Sequence, residues 1–158
     1  MQIEAAPARP SDVADLVRLY RELEAELVAL KHVWHITEAL SEPADAAIAA
    51  LVDDPSSHVL VGRIDGVPVG FLVGSTGPLL PQAGGAELAT VTYLFTEAPA
   101  REVGVAEVLL ETFMESRLAA GVRHFDAHVS PGHRLAKNFF ESKGFKARHI
   151  VMHHEAER

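Results

Sequence analysis

Apolar positions along this chain switch between two repeats, and each switch marks an element. From Ser11 to Leu30, the residues Val13, Leu16, Val17, Tyr20, Leu23 and Leu27 recur at steps of three and four, which predicts one amphipathic helix. Pro10 and Ser11 punctuate its start, with Ser11 read as the N-cap and Asp12 and Asp15 in the first turn. Lys31 to Ser41 breaks the repeat, and a second helix is expected after Pro43, through Ile48, Leu51 and Val52, stopping at Asp53-Asp54-Pro55. Residues 58–64 and 67–74 then flank Asp65-Gly66, a strong hairpin signal. After the Pro/Gly-rich loop Gly77–Gly85, residues 87–96 read as a strand and 104–120 as a helix closed by Gly121. Val122 to Val129 alternates, with Phe125, Ala127 and Val129 on one face and His124, Asp126 and His128 on the other. Ser130-Pro131-Gly132 leads into a helix bearing Leu135, Ala136, Phe139 and Phe140, which Gly144 ends. Ile3 to Ala5 is a short opening strand, and His149 to Glu155 is expected to close the sheet.

The resulting order, β-αα-ββ-β-α-β-α-β, mixes an antiparallel meander with β-α-β crossovers. It predicts an α/β fold with a mixed sheet and helices on both faces. No repeat or linker divides the chain, so residues 1–158 are expected to form one domain, long enough for a two-sided core. A content of 48% hydrophobic and 23% charged residues is that of a soluble globular protein, and no apolar run is long enough for a bilayer. Met1-Gln2-Ile3-Glu4 lacks the basic and apolar regions of a signal peptide, and the absence of Cys suits a reducing cytosol, so a cytoplasmic location is expected. The net charge of −8 argues against nucleic acid as a partner and slightly favours a cationic substrate, although solubility alone explains most of it.

The chemistry concentrates at Arg101-Glu102-Val103-Gly104-Val105-Ala106, between the strand at 87–96 and the helix at 104–120. A strand, a tight turn and a helix start leave free N–H groups and the positive end of the helix dipole facing outward, which suits an anion. Gly104 permits positive φ or close approach, and Ala106 leaves room for a ligand. An ordinary βα loop with a glycine in it is the competing reading.

Arg101-x-x-Gly104-x-Ala106 is similar to the acyl-CoA-binding signature (Gln/Arg)-x-x-Gly-x-(Gly/Ala) of the GNAT superfamily of N-acetyltransferases. Ala136 to Phe145 resembles that family's second signature, Ala-x-x-Phe-Tyr-x-x-x-Gly-Phe, at the usual separation and in nearly the same order of elements. The resemblance implies acetyl-CoA as co-substrate and no metal. The pyrophosphate would sit on the N–H groups of residues 102–106, and the pantetheine arm along a splayed strand end at Leu94, Phe95 and Thr96. It also implies a backbone N–H polarising the thioester carbonyl, with His133 and Phe140 beside the cofactor arm. Homodimerisation is a further expectation of the family.

Three positions depart from the family pattern. Pro99 lies one residue late in the approach to the turn. Phe140 stands where a Tyr is commonly proposed to protonate the departing thiolate, and Phe has no proton to give. His133 replaces an Asn near the cofactor, and an N-terminal-turn His without a role is an equal alternative.

Acetyl transfer needs a neutral amine, hence a base or a water chain leading to one. His128 occupies a position where some family members carry a carboxylate, and is the candidate base; a strand His satisfied by Asp126 or a carbonyl is the alternative. Glu97 is a second candidate, with turn stabilisation as its plainer role. Trp34 and His35 fall where the family builds part of the acceptor pocket, with a core or dimer-interface role for the Trp as the alternative, and Tyr93 either borders the acceptor or packs in the sheet.

The expected activity is acetyl transfer from acetyl-CoA to a primary amine of a small, cationic acceptor, by direct attack in a ternary complex, since no Cys is available for a covalent intermediate. An acyl-CoA-binding sensor and a protein N-terminal acetyltransferase stand as alternatives. A metal reading would use His124, Asp126 and His128, with His149 and His153, but it needs ligands from a neighbouring strand that the sequence does not identify. Neither G-x-x-x-x-G-K-[ST] nor G-x-G-x-x-G is present to support a nucleotide-binding unit.

Overall fold

The computed structural model describes residues 1–30 and 39–157. Its elements are β1 (Ile3–Pro7), α1 (Val13–Ala29), α2 (Ala44–Asp53), β2 (Ser57–Ile64), β3 (Val67–Pro78), β4 (Glu87–Thr96), α3 (Val105–Ala119), β5 (His124–Ala127) and α4 (Arg134–Ser142). Five strands run in the order β1-β2-β3-β4-β5, antiparallel except for the parallel pair β4–β5. The Asp65-Gly66 turn has φ of 48° and 82°, the left-handed pair that matches a two-residue hairpin to strand twist.

Each sheet face carries a core. On one, Leu16, Leu19, Tyr20, Leu23 and Leu27 of α1 bury against Val61, Phe71, Tyr93 and Phe95. On the other, Val105, Leu109, Leu110 and Phe113 of α3 pack on Leu60, Leu72, Ala89 and Val91, with Phe140 of α4 beside them. The helices on both faces follow from the apolar stripes, each of which needs a sheet face to cover it. α3 approaches closely because β2 and β3 present glycines beneath it. A Cβ on Gly62 would lie 2.8 Å from Val105 Cγ1, and one on Gly74 2.6 Å from the Phe113 ring.

Register explains how β4 serves both cores. Val73 pairs with Tyr93 and Gly74 with Val91, so Thr92 is an extra residue in β4. That bulge turns Ala89 and Val91 toward α3 and Tyr93 and Phe95 toward α1.

Two expectations need correction. The helix is entered through a 3-10 turn, Pro10–Asp12, and the capping group is Asp12, not Ser11. Asp12 accepts from Arg9 N–H at 2.8 Å and from Arg63 Nη2 at 2.7 Å, because its longer side chain reaches back to the chain entering the turn. The closing strand at His149–Glu155 is absent: residues 145–157 form no ladder, and Ile150, Val151 and Met152 are exposed. A strand exists only through its partner, and three consecutive apolar residues offer no single face to a sheet. Among the described residues no helix is long and apolar enough to cross a membrane.

Candidate functional site

Parallel pairing of β4 with β5 runs from Leu88↔His124 to Val91↔Ala127, and one further bond joins His128 N–H to the Val91 carbonyl at 2.9 Å. The ladder ends there, and among the described residues Thr92–Thr96 of β4 have no strand beside them on that edge. Leu94, Phe95 and Thr96 therefore lie on the part of β4 beyond its pairing with β5. Phe95 is buried in the α1-side core, and Leu94 is half-buried.

A 3-10 turn, Ala98–Ala100, links this strand end to Arg101, and Pro99 sits inside it. Proline's fixed φ suits such a turn, which accounts for its late position relative to the family pattern. The chain then crosses Glu102 at φ 70° and Gly104 at φ 100° before α3 starts at Val105. Gly104 is the N-cap residue and supplies no side-chain cap. The N–H groups of residues 102–107 meet no acceptor among the described residues, and the first turn-closing bond is Val108 N–H to Gly104 O at 3.1 Å. A helix start whose amides are neither capped nor paired is a concave array of donors with a positive dipole behind it. A Cβ at Gly104 would make an ordinary contact, 3.9 Å from Ile3 Cδ1, so the positive φ and not crowding calls for glycine here.

Thr96 adds an orphan. Its side chain is 8% exposed, and Oγ1 has no hydrogen-bond partner among the described residues. These donors fit a pyrophosphate and a pantetheine arm, whose acceptors need N–H and O–H groups.

The side chain of Arg101 does not turn toward the amides. Nε donates to the Thr96 carbonyl at 2.9 Å, Nη2 to Glu26 Oε2 at 2.9 Å, and Nη1 lies 2.8 Å from Glu26 Oε1. Its guanidinium also covers the Phe95 ring, 5.5 Å from the centroid. Glu97 is bound to Arg18 Nη1 at 3.0 Å, which is the turn-stabilising role.

His128 follows the last paired residue of β5, so it stands at the point where β4 and β5 diverge, with its side chain exposed. Asp126, its neighbour on that face, holds Arg148 through both oxygens, at 2.8 and 2.5 Å. That pairing occupies the carboxylate the metal reading would have used, and His149 and His153 share no strand face because no strand forms there. Among the described residues no group of three His, Cys, Asp or Glu could hold a metal ion.

His133 is the N-cap residue of α4, half-buried, its N–H donating to Ser130 O at 3.1 Å. Phe140 is 5% exposed and stacks edge-on with Phe139 and Phe145, at 5.4 and 5.2 Å between centroids. Tyr93 is buried against Tyr20 and Phe71 in the α1-side core. Trp34 and His35 lie outside the described residues. Sequence reasoning missed Glu26 and Arg18, because nothing in a helical repeat tells which exposed charge meets a loop seventy-odd residues away.

The sequence profile of the Acetyltransferase (GNAT) family matches residues 16–145. No curated protein sequence matches the chain. Among solved structures, ribosomal-protein-alanine N-acetyltransferase from Brucella melitensis biovar Abortus 2308 is similar at 15% identity and a TM-score of 0.74, over 99% of this chain and 100% of that one. AAC(6')-Iy in complex with the bisubstrate analogue CoA-S-monomethyl-acetylneamine is similar at 14% identity and a TM-score of 0.77, over the full length of both chains. An aminoglycoside acetyltransferase from an uncultured soil metagenomic sample is similar at 16% identity and a TM-score of 0.73, over 99% of this chain and 96% of that one. At such identities the likeness establishes the fold, while the profile covers most of the chain, both glycine-bearing signatures included. This chain belongs to the GNAT acetyltransferase family.

Proposed function

We propose that this protein is an acetyl-CoA-dependent N-acetyltransferase acting on a primary amine of a small, cationic acceptor. The observation that carries this reading is the run of amides at residues 102–107, unpaired among the described residues, beside the parted ends of β4 and β5. Acetyl-CoA supplies an activated acyl carbon and a thiolate leaving group. The chain's own residues do the rest. Amides of the turn bind the diphosphate, and the free edge of β4 at Leu94–Thr96 takes the arm as an added strand would. That places the thioester near the divergence point, where His128 stands.

His128 takes the proton of the incoming ammonium, directly or through a water. The neutral amine attacks the carbonyl carbon, the C–S bond breaks and the thiolate leaves. Phe140 has no hydroxyl and is buried, so the second proton, lost by the attacking nitrogen as the amide forms, passes through water to the sulfur. His133, at the start of α4, is a second polar group beside the arm. The acidic balance of the chain supports a cationic acceptor, and an aminoglycoside or a polyamine is the first choice.

The buried, hydroxyl-free Phe140 favours one second reading, an acyl-CoA-binding sensor with little turnover. A thiol-release assay with acetyl-CoA across aminoglycosides, polyamines, amino acids and a peptide with N-terminal alanine separates them. Turnover with a cationic small amine is the expected result, and turnover of the peptide alone makes it a protein N-terminal acetyltransferase. Bound CoA with no turnover of any amine makes it a sensor. Full kcat/KM in His128→Ala from pH 6 to 9 would remove that residue as the base.

A further inference from the structure

The turn that presents the amides is held from behind by α1. Arg18 Nη1 donates to Glu97 Oε2 at 3.0 Å and Nη2 to the Pro68 carbonyl at 3.1 Å, which fixes the start of the 3-10 turn. Glu26, two turns further along α1, fixes its end by receiving the Arg101 guanidinium on both oxygens at 2.8 and 2.9 Å. The two contacts are unequal. The Arg18 side chain is about half exposed, whereas Glu26 and Arg101 are each less than a third exposed. A two-pronged, partly desolvated pair fixes orientation as well as distance, and an exposed pair does little of either.

Arg101 has a second constraint that makes this pair matter. Its Nε is bound to the Thr96 carbonyl, so the guanidinium ties the end of β4 to the residue that opens the turn. Rotating Arg101 would therefore break the closure between Thr96 and residue 101. The next residue, Glu102, has φ of 70°, a conformation a non-glycine residue keeps only where its surroundings enforce it.

We propose that Glu26 is a positioning residue for the cofactor: it fixes Arg101, and through it the direction of the amides at 102–107. The inference rests on the reading that those amides bind the diphosphate of acetyl-CoA. On this account the arginine of the signature acts through its shape and its partner on α1. It is not a phosphate-binding cation.

The test is a calorimetric titration of CoA into the wild type, Glu26→Gln, Arg101→Gln and the double variant, with steady-state kinetics and melting curves on the same samples. Each single variant is expected to raise Kd for CoA, and KM for acetyl-CoA, by about five- to twentyfold, with kcat at saturation within about twofold. The double variant is expected to be no weaker than the weaker single, because the second change removes a partner already lost. Unchanged Kd in Glu26→Gln, even with a lower Tm, would overturn the inference by making the pair merely structural. Tighter binding in Glu26→Gln would overturn it too, since the freed guanidinium would then be serving the phosphates. Wild-type protein that binds no CoA would instead remove the functional reading and this inference with it.

Discussion

Two residues of the turn sit at positive φ for opposite reasons. Gly104, at φ 100°, occupies a conformation that costs an L residue energy but a glycine nothing, and a Cβ there would make only an ordinary contact, 3.9 Å from Ile3 Cδ1. Gly104→Ala is therefore expected to lose about 1–2 kcal/mol from backbone strain alone and to weaken CoA binding, since relief of that strain swings the amides. Glu102, at φ 70°, bears the strain already and adds a carboxylate to the turn proposed to bind the phosphates. Asn tolerates that region and carries no charge, so Glu102→Asn is expected to gain up to about 1 kcal/mol and to lower Kd for CoA. Opposite shifts in Tm and Kd for the two variants check both statements together. The glycine at 104 was legible from spacing, but the strain at Glu102 was not. Only the bonds holding residues 97 and 101 to α1 reveal that the turn is forced into this shape.

Among the elements, α3 joins the site to the core. It brings its amide-bearing start to the turn and seats Phe113 over Gly74 of β3 further along. A methyl at Gly74 would lie 2.6 Å from that ring and 3.0 Å from the Thr90 carbonyl, and neither backbone nor a packed ring yields cheaply. Gly74→Ala is expected to cost about 1–3 kcal/mol, read as a lower midpoint in urea with an unchanged slope. The periodic elements were readable because an apolar stripe names its own partner face: the α1 positions Leu16, Tyr20, Leu23 and Leu27 are all buried. The bulge at Thr92 was not readable, since an inserted residue shows only against the partner's register, yet it decides that Tyr93 faces the core. The C-terminal segment misled for a related reason. Strand-forming composition at Ile150–Met152 says nothing about whether a free edge receives it.

At the scale of the molecule, an open amide array and an acidic surface pull in different directions. A net charge of −8 repels an anionic cofactor at long range, so binding must come from short-range donors, and salt should weaken it less than it would a lysine-lined site. Stability has its own charge dependence at the far end of α3. Burial, and then the nearby Arg117, hold the His58 imidazole below its ordinary pKa, while Thr76 Oγ1 lies 2.9 Å from Nε2. The folded state therefore resists a proton that the unfolded chain accepts below about pH 6.5. The contribution of neutral His58 is complete above that pH and is lost as pH falls from there toward the lowered folded value. Melting curves from pH 8 to 5 should show a decline below pH 6.5 that is shallower in His58→Gln.

Backbone-amide NMR with CoA addresses the main claim most directly. Titration is expected to shift the N–H resonances of residues 102–107 far more than those elsewhere, while pantetheine, which lacks the diphosphate, leaves them in place. Shifts confined to other regions, with the amides of Glu102 to Glu107 unmoved, would contradict the account.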